Sequence, residues 1–347
     1  MEESTPIKRK RETKKQKPPL WKKVLIFLAF EFVFSAITMP LLVFYGPFDN
    51  LKKNIVGMSW NTLNHQWIAK LFMSDRAIYK LVNTEASIES AELGEEMQDL
   101  KFTNTNDNKI EVMDIQGSLS AKLMIIHNPK KLQLMYSSKL QTDKNSNSNG
   151  VVAGEKTSDM AKRNKAIGAV NAGGFKDISA GGNNWTGTGG LPMGFIIHNG
   201  EVVYNEYSDS SRQDAIAFDD RGMLIVGKHS VNELKDRNVK EAVSFGPTLI
   251  VNSKKSSLPY WGPQPRTAIG QRKDGSVLLL VVDGRSIKNM GASLNDIQDI
   301  LYKYGAVNAA NLDGGSSTTM YYKGKVINRP SDTLGERTVA TAFIVLP

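Results

Sequence analysis

The chain is 347 residues long, 40% hydrophobic, with 29 glycines and a formal charge of +9; that is a folded, turn-rich protein of one large domain or two ordinary ones, and disorder of the whole chain is excluded. It has no cysteine, which excludes disulfides, a thiolate nucleophile and zinc–sulfur sites and leaves any metal or catalytic chemistry to oxygen and nitrogen. The charge does not mark a nucleic-acid partner: residues 1–23 hold nine Lys/Arg against three Glu, a net +6, which leaves +3 for the remaining 324 residues.

After that tail, Val24 to Tyr45 is an apolar run of 22 residues broken only by Glu31, Ser35, Thr38 and Pro40. About 20 such residues span a bilayer as a helix, and Trp21 and Tyr45 flank the run as interfacial aromatics do, so residues 24–45 read as a transmembrane helix through which the chain meets the membrane. A signal peptide is the rival, but no small-x-small cleavage site follows the run. The positive-inside rule makes 1–23 a basic cytoplasmic tail and puts everything from about residue 46 outside. The expectation is a single-pass cell-membrane protein with an extracellular catalytic domain, and a cysteine-free exported domain suits a bacterium. Glu31 is costly in lipid unless protonated or paired. Trp60, Leu63, Trp67, Leu71, Ile78 and Leu81 recur at helical spacing, and residues 46–109 read as a juxtamembrane helical stalk; a helix belonging to the core of the main domain explains the same spacing.

From residue 110 to 347 the pattern changes to short strands with turn signals. Lys122–Pro129 and Lys131–Tyr136 read as strand, turn, strand around Asn128-Pro129. Residues 141–150 read as a polar loop, 155–164 as a short helix and 166–171 as a strand. The glycine-rich stretch 176–194 is placed as a lid or substrate-binding loop would be, with a surface linker as the alternative. Asn199-Gly200 and Asp220-Arg221-Gly222 mark hairpins, 230–240 one amphipathic helix, and 242–251 a strand. Ser293 with Asp296 three residues on forms a capping box, and Gly305 stops that helix. It joins the strand ending at Asp283 to the strand ending at Asp313, a β-α-β unit; if the two strands are parallel, both carboxylates emerge at one edge.

The chemistry gathers at such strand ends. Asp313 is followed by Gly314-Gly315, which lets backbone N–H groups approach an anion, and by the hydroxyls of Ser316, Ser317, Thr318 and Thr319; a tight turn is the bland alternative. Asn171-Ala172-Gly173-Gly174-Phe175 and Val282-Asp283-Gly284-Arg285 repeat the form. Asp313, Asp283, Asn171 and Asn311 are candidate acid, base or hydrogen-bonding groups, and Arg266, Arg285 and Arg337 candidate anion clamps whose planar fork suits a phosphate ester. Carboxylates for sugar chemistry beside arginines for phosphate point to a glycosyl phosphate or phosphodiester. No P-loop, His-Glu-x-x-His, Gly-x-Ser-x-Gly or dinucleotide fingerprint is present. Two other classes stay open: a non-catalytic glycan or wall-polymer binding module, and a hydrolase using Asp283 and Asp313 to hold Ca²⁺ or Mg²⁺. Otherwise no cofactor is required.

Asn171-Ala-Gly-Gly-Phe175, Ser244-Phe-Gly-Pro-Thr-Leu249, Pro265-Arg-Thr-Ala-Ile-Gly270, Val282-Asp-Gly-Arg285 and Ala310-Asn-Leu-Asp-Gly-Gly-Ser-Ser-Thr-Thr-Met320 together resemble the phosphodiester glycosidase family, over roughly residues 110–347. The resemblance implies an α+β domain of mixed β-sheets with packed helices, and hydrolysis at an anomeric carbon with a phosphate monoester leaving. On that reading Asp313 activates water or stabilises an oxocarbenium-like centre, while Asp283 and Asn171 position the sugar. Arg266, Arg285, Arg337, Asn311, Gly314, Gly315, Ser316, Ser317, Thr318, Gly173 and Gly174 would surround a glycan or glycosyl-phosphate substrate. Cell-surface or exopolysaccharide glycan metabolism is the expected setting. The sugar, the aglycone, the stereochemical course and the oligomeric state stay open.

Overall fold

The computed structural model describes residues 19–60, 66–83, 107–115, 117, 119–140, 154–176, 189–286, 289–332 and 334–347. The tail up to residue 18, the polar loop 141–150, residues 177–188 of the glycine-rich stretch and residues 84–106 of the expected stalk lie outside them. The chain divides into two compact units, 1–52 and 53–347.

In the first unit, α1 (Leu20–Tyr45) runs for 26 residues and carries Pro40 within it. At 1.5 Å per residue it is about 39 Å long, and it is long and apolar enough to cross a membrane. Its Thr38 hydroxyl donates to the Phe34 carbonyl at 2.8 Å, which satisfies that polar group within the helix.

Helix α2 (Asp49–Trp60) follows, and its residues from Lys53 on open the second unit, with α3 (Gln66–Lys70) and α4 (Asp75–Asn83) after it. These helices are tied to the strand-rich part of their unit. Val56, Ile78 and Val82 are buried, Tyr260 donates its backbone N–H to the Val82 carbonyl at 2.9 Å, and the Tyr260 hydroxyl bonds to Asn54.

In chain order the remaining elements are β1 (Ile110–Ile115), β2 (Ala121–Ile126), β3 (Leu132–Tyr136), β4 (Glu155–Lys156), α5 (Thr157–Arg163), β5 (Gly168–Asn171), β6 (Phe195–His198) and β7 (Glu201–Asn205). Next come β8 (Gln213–Asp219), β9 (Leu224–His229), α6 (Val231–Asp236), β10 (Val239–Ser244), β11 (Thr248–Val251) and β12 (Lys254–Lys255). The chain ends with β13 (Arg266–Arg272), β14 (Val277–Val282), α7 (Leu294–Lys303), β15 (Ala306–Leu312), β16 (Met320–Tyr322), β17 (Lys325–Val326), β18 (Thr338–Val339) and β19 (Thr341–Val345). They build a seven-stranded sheet β1-β2-β14-β13-β15-β11-β12, two five-stranded sheets, β7-β6-β10-β8-β9 and β17-β16-β5-β19-β3, and the small pair β18-β4.

The three larger sheets turn their inner faces to one core, in which Met124, Ile269, Leu279, Ile216, Val243, Val170 and Phe343 meet. Each outer face is covered by a helix: α7 on the seven-stranded sheet through Leu294, Ile297 and Leu301, α6 through Val231 and Leu234, and α5 through Met160 and Ala161. Burial on both faces explains why Val277–Val282 is apolar at every position rather than at alternate ones. The capping box at Ser293 and Asp296 is formed in both directions.

Every ladder between described strands is antiparallel, and β13 lies between β14 and β15. Strands β14 and β15 therefore run parallel to one another without being neighbours, and Asp283 and Asp313 leave the sheet at one edge, with β13 starting between them. The strand, turn and strand expected over 122–136 are formed, with β2 and β3 in different sheets. Two expectations are corrected. The helix expected over 230–240 ends at Asp236 and gives way to β10 at Val239. The strand expected over 242–251 breaks at Phe245-Gly246-Pro247, where the chain passes from one sheet to another.

Candidate functional site

The candidate site lies where that sheet edge meets the end of β5. Asp313 continues from β15, donates its backbone N–H to the Ala172 carbonyl at 2.9 Å, and accepts at its own carbonyl from Asn171 Nδ2 at 2.5 Å. The half-buried carboxylate of Asp313 is thus carried on a backbone clamped from the neighbouring sheet. Asn171 is fully buried, and its Oδ1 accepts from Thr267 Oγ1 at 2.9 Å and from Thr319 N at 3.0 Å. Both ends of its amide are hydrogen-bonded within the protein, which fixes the Asp313 backbone.

Two arginines face this carboxylate region. Arg285 is exposed as a residue, yet the protein around its guanidinium lowers its pKa, as does the like charge of Arg337; Asp313 and Asp332 act in the opposite direction. Arg337 lies over the Phe175 ring, 4.8 Å from guanidinium carbon to centroid, and donates from Nη1 to Ser316 Oγ at 3.0 Å. Gly315 holds φ +60°, and a Cβ there would stand 3.1 Å from Arg285 Nη2, so the second glycine makes room for the arginine as well as for the turn.

Part of the expected cradle of backbone amides is taken up by the protein itself. Gly315 N donates to the Pro265 carbonyl at 2.8 Å, Ser317 N to Gly314 at 3.1 Å and Thr318 N to Gly315 at 3.3 Å, because the segment closes into a short 3-10 turn. Ser317, Thr318 and Thr319 are buried, and Ser316 accepts from Arg337. A Cβ on Gly173 would strike Val243, and one on Gly174 the Phe245 ring, so this pair lets the chain crossing at Phe245-Gly246-Pro247 approach closely. Asn311 pins the same crossing: its Nδ2 donates to the Gly246 carbonyl at 2.9 Å and its backbone N–H to Pro247 at 3.0 Å.

Two residues expected at the substrate are engaged elsewhere. Arg266 points to the α7 side of the sheet and is only 2% exposed. Its Nε donates to Ala292 at 3.1 Å and its Nη2 to Gly262 at 2.9 Å, while the Gln264 amide, turned with its oxygen inward, accepts from Nη1 at 2.9 Å and Nη2 at 3.1 Å. Burial pushes its pKa down to about 9, which still leaves it charged at neutral pH. Asp283 accepts from Ser120 Oγ at 3.2 Å on one oxygen, and from Asn328 Nδ2 at 3.2 Å and Arg329 N at 2.9 Å on the other. It latches segment 328–329 to the end of β14. Among the described residues no cluster of three or more His, Asp or Glu side chains could hold a metal ion.

Sequence reasoning missed Asp332, Ser331 and the platform role of Phe175. Ser331 donates to the Gly315 carbonyl at 3.4 Å and Asp332 acts on Arg285, although both lie far along the chain from these partners. Only Phe175 carried a signal, as the aromatic that closes the Asn171-Ala-Gly-Gly motif.

The chain is 33% identical over 199 residues to the SPbeta prophage-derived uncharacterized protein YomE of Bacillus subtilis (strain 168), a match covering 54% of this chain and 29% of YomE. It is 42% identical over 67 residues to the N-acetylglucosamine-1-phosphodiester alpha-N-acetylglucosaminidase of Bos taurus, covering 19% of this chain and 12% of that protein. The chain thus spans well under two thirds of these relatives. Its fold is similar to the zebrafish N-acetylglucosamine-1-phosphodiester alpha-N-acetylglucosaminidase catalytic domain auto-inhibited by pro-peptide, with a TM-score of 0.56 at 20% identity, over 72% of this chain and 87% of that one. The phosphodiester glycosidase profile matches residues 164–346, more than half of the chain and the stretch that supplies Asn171, Phe175, Arg285, Asp313, Ser316 and Arg337. On that match, this chain belongs to the phosphodiester glycosidase family.

Proposed function

We propose that this protein hydrolyses glycosyl phosphodiesters at the anomeric carbon. Water adds its oxygen to C1, the C1–O bond to phosphate breaks with its electron pair going to the phosphate, and the water's proton passes through Asp313 to solvent. The observation that carries this reading is that Arg285 and Arg337 meet the adjacent residues Gly315 and Ser316, with Asp313 acting on Arg285. The two like charges repel, Asp313 and Asp332 offset part of that repulsion at Arg285, and a bound anion would offset more of it. A diester carries one negative charge and the departing monoester nearly two. Attraction to the arginines therefore grows as the bond breaks, and that is the condition for accelerating the step rather than merely binding substrate. Asp313 acts on water or on the developing positive charge at C1, with Asn171 and Asp283 as positioning residues. The charge asymmetry about residues 24–45 supports attachment to a cell membrane by α1 with the enzyme outside, acting on surface glycans or exopolysaccharide.

The test is the fate of the water oxygen. The full chain in lipid nanodiscs is given α-N-acetylglucosaminyl methyl phosphate in ¹⁸O-water, and the products are read by mass spectrometry. Label on the sugar and none on methyl phosphate is expected. Label on the phosphate would mean attack at phosphorus, and no turnover would leave a binding module.

A further inference from the structure

From residue 107 onward the described residues expose five large hydrophobic side chains: Met193, Tyr207, Met290, Tyr302 and Leu334. The three without a polar atom are bonded through their backbones to residues of the site or next to it. Met193 donates its backbone N–H to Gly174 at 3.0 Å and its sulfur would stand 3.8 Å from a Cβ there, one residue from the Phe175 ring under Arg337. Met290 accepts at its carbonyl from Arg285 N at 3.3 Å. Leu334, 90% exposed, donates its backbone N–H at 3.0 Å to Asp332, the carboxylate acting on Arg285. Exposed apolar side chains scattered singly need no explanation, and Leu71 is one such, but three bonded next to residues of a site that holds two arginines suit an amphiphile. We infer that the non-sugar arm of the substrate is a hydrocarbon chain: the enzyme takes lipid-linked glycosyl phosphates, with the phosphate between Arg285 and Arg337 and the first methylenes on Met193, Met290 and Leu334. This rests on the glycosyl phosphodiester reading. The hydrolysis is the same, water oxygen to C1, with an alkyl phosphate as the leaving group. A hydrophilic polymer arm would find no polar partner in these three side chains.

The test uses the full chain in lipid nanodiscs with two substrates, α-N-acetylglucosaminyl methyl phosphate and its hexyl counterpart. Five added methylenes on exposed side chains should raise kcat/KM about tenfold, well short of full burial of each. Met193→Ser, Met290→Ser and Leu334→Ser combined should bring the ratio near one, and Tyr302→Ser, an exposed side chain on α7, should leave the ratio as it was. Equal rates on both esters, or a ratio that survives the triple change, overturns the hydrocarbon arm and leaves the hydrolytic reading standing. If neither ester is split, the hydrolytic reading fails, and calorimetry decides the arm separately: tighter binding of hexyl phosphate than of methyl phosphate supports it, equal binding overturns it.

Discussion

Asn171 joins three parts of the site through one side chain, donating to the Asp313 carbonyl at 2.5 Å and accepting from Thr267 and Thr319 at 2.9 and 3.0 Å. The two residues should therefore separate stability from chemistry. Asp313→Asn keeps the backbone clamp and the size of the side chain, so Tm should hardly move while sugar release falls about 10²-fold or more. Asn171→Ala leaves buried partners unsatisfied and should cost about 1–3 kcal/mol of stability as well as activity. Urea unfolding beside initial rates measures both. Full turnover in a folded Asp313→Asn protein would move the chemistry to another group.

The arginines should divide in the same way. Arg266→Lys removes donors from four buried contacts and should destabilise by about 2 kcal/mol or more, because a lysine cannot reproduce the fork. Arg337 is half-buried at the site, and Arg337→Lys tests it. The change should leave Tm within a few degrees and raise KM about tenfold. A change of KM without loss of stability in Arg266→Lys would place that guanidinium at the substrate after all.

How much of this was legible depends on whether the cause was local. The capping box at Ser293, the Asn199-Gly200 hairpin with both residues at positive φ, and the common edge of Asp283 and Asp313 follow from spacing and turn chemistry. The direction of the Arg266 side chain does not, since strand alternation puts Arg266 and Thr267 on opposite faces and only the packed sheet shows which face holds the site. Asp283 read as catalytic because its partners Ser120 and Asn328 lie 163 and 45 residues away. The glycine pair at 314–315 read as an anion cradle because sequence shows that amides can turn outward, not that Pro265 accepts one of them.

Residues 53–83 carry a prediction about where the folded unit begins. Val56, Ile78 and Val82 are buried, and Asn54 and Val82 are bonded to Tyr260. A chain starting near residue 107 should expose the surface around Tyr260 and Trp261, melt several degrees lower and aggregate sooner than one starting near residue 53. Equal melting of the two would return these helices to the role of a stalk.

His229 supplies a dependence on acid. It is 6% exposed at the end of β9; burial lowers its pKa first, Arg237 and then Arg212 lower it further, and Glu233 and the Val226 carbonyl oppose them. An unfolded chain takes up a proton on this histidine near pH 6.5, whereas the folded chain does so only at lower pH. Above about 6.5 both states are neutral here and nothing is lost. Below it the unfolded state binds more protons, so stability declines as pH falls towards the folded value. His229→Gln cannot take up that proton, and the decline between pH 6.5 and 5 should be shallower in the variant than in the parent, read as Tm against pH. Parallel curves would mean that the imidazole titrates alike in both states and that its burial is relieved before the chain unfolds.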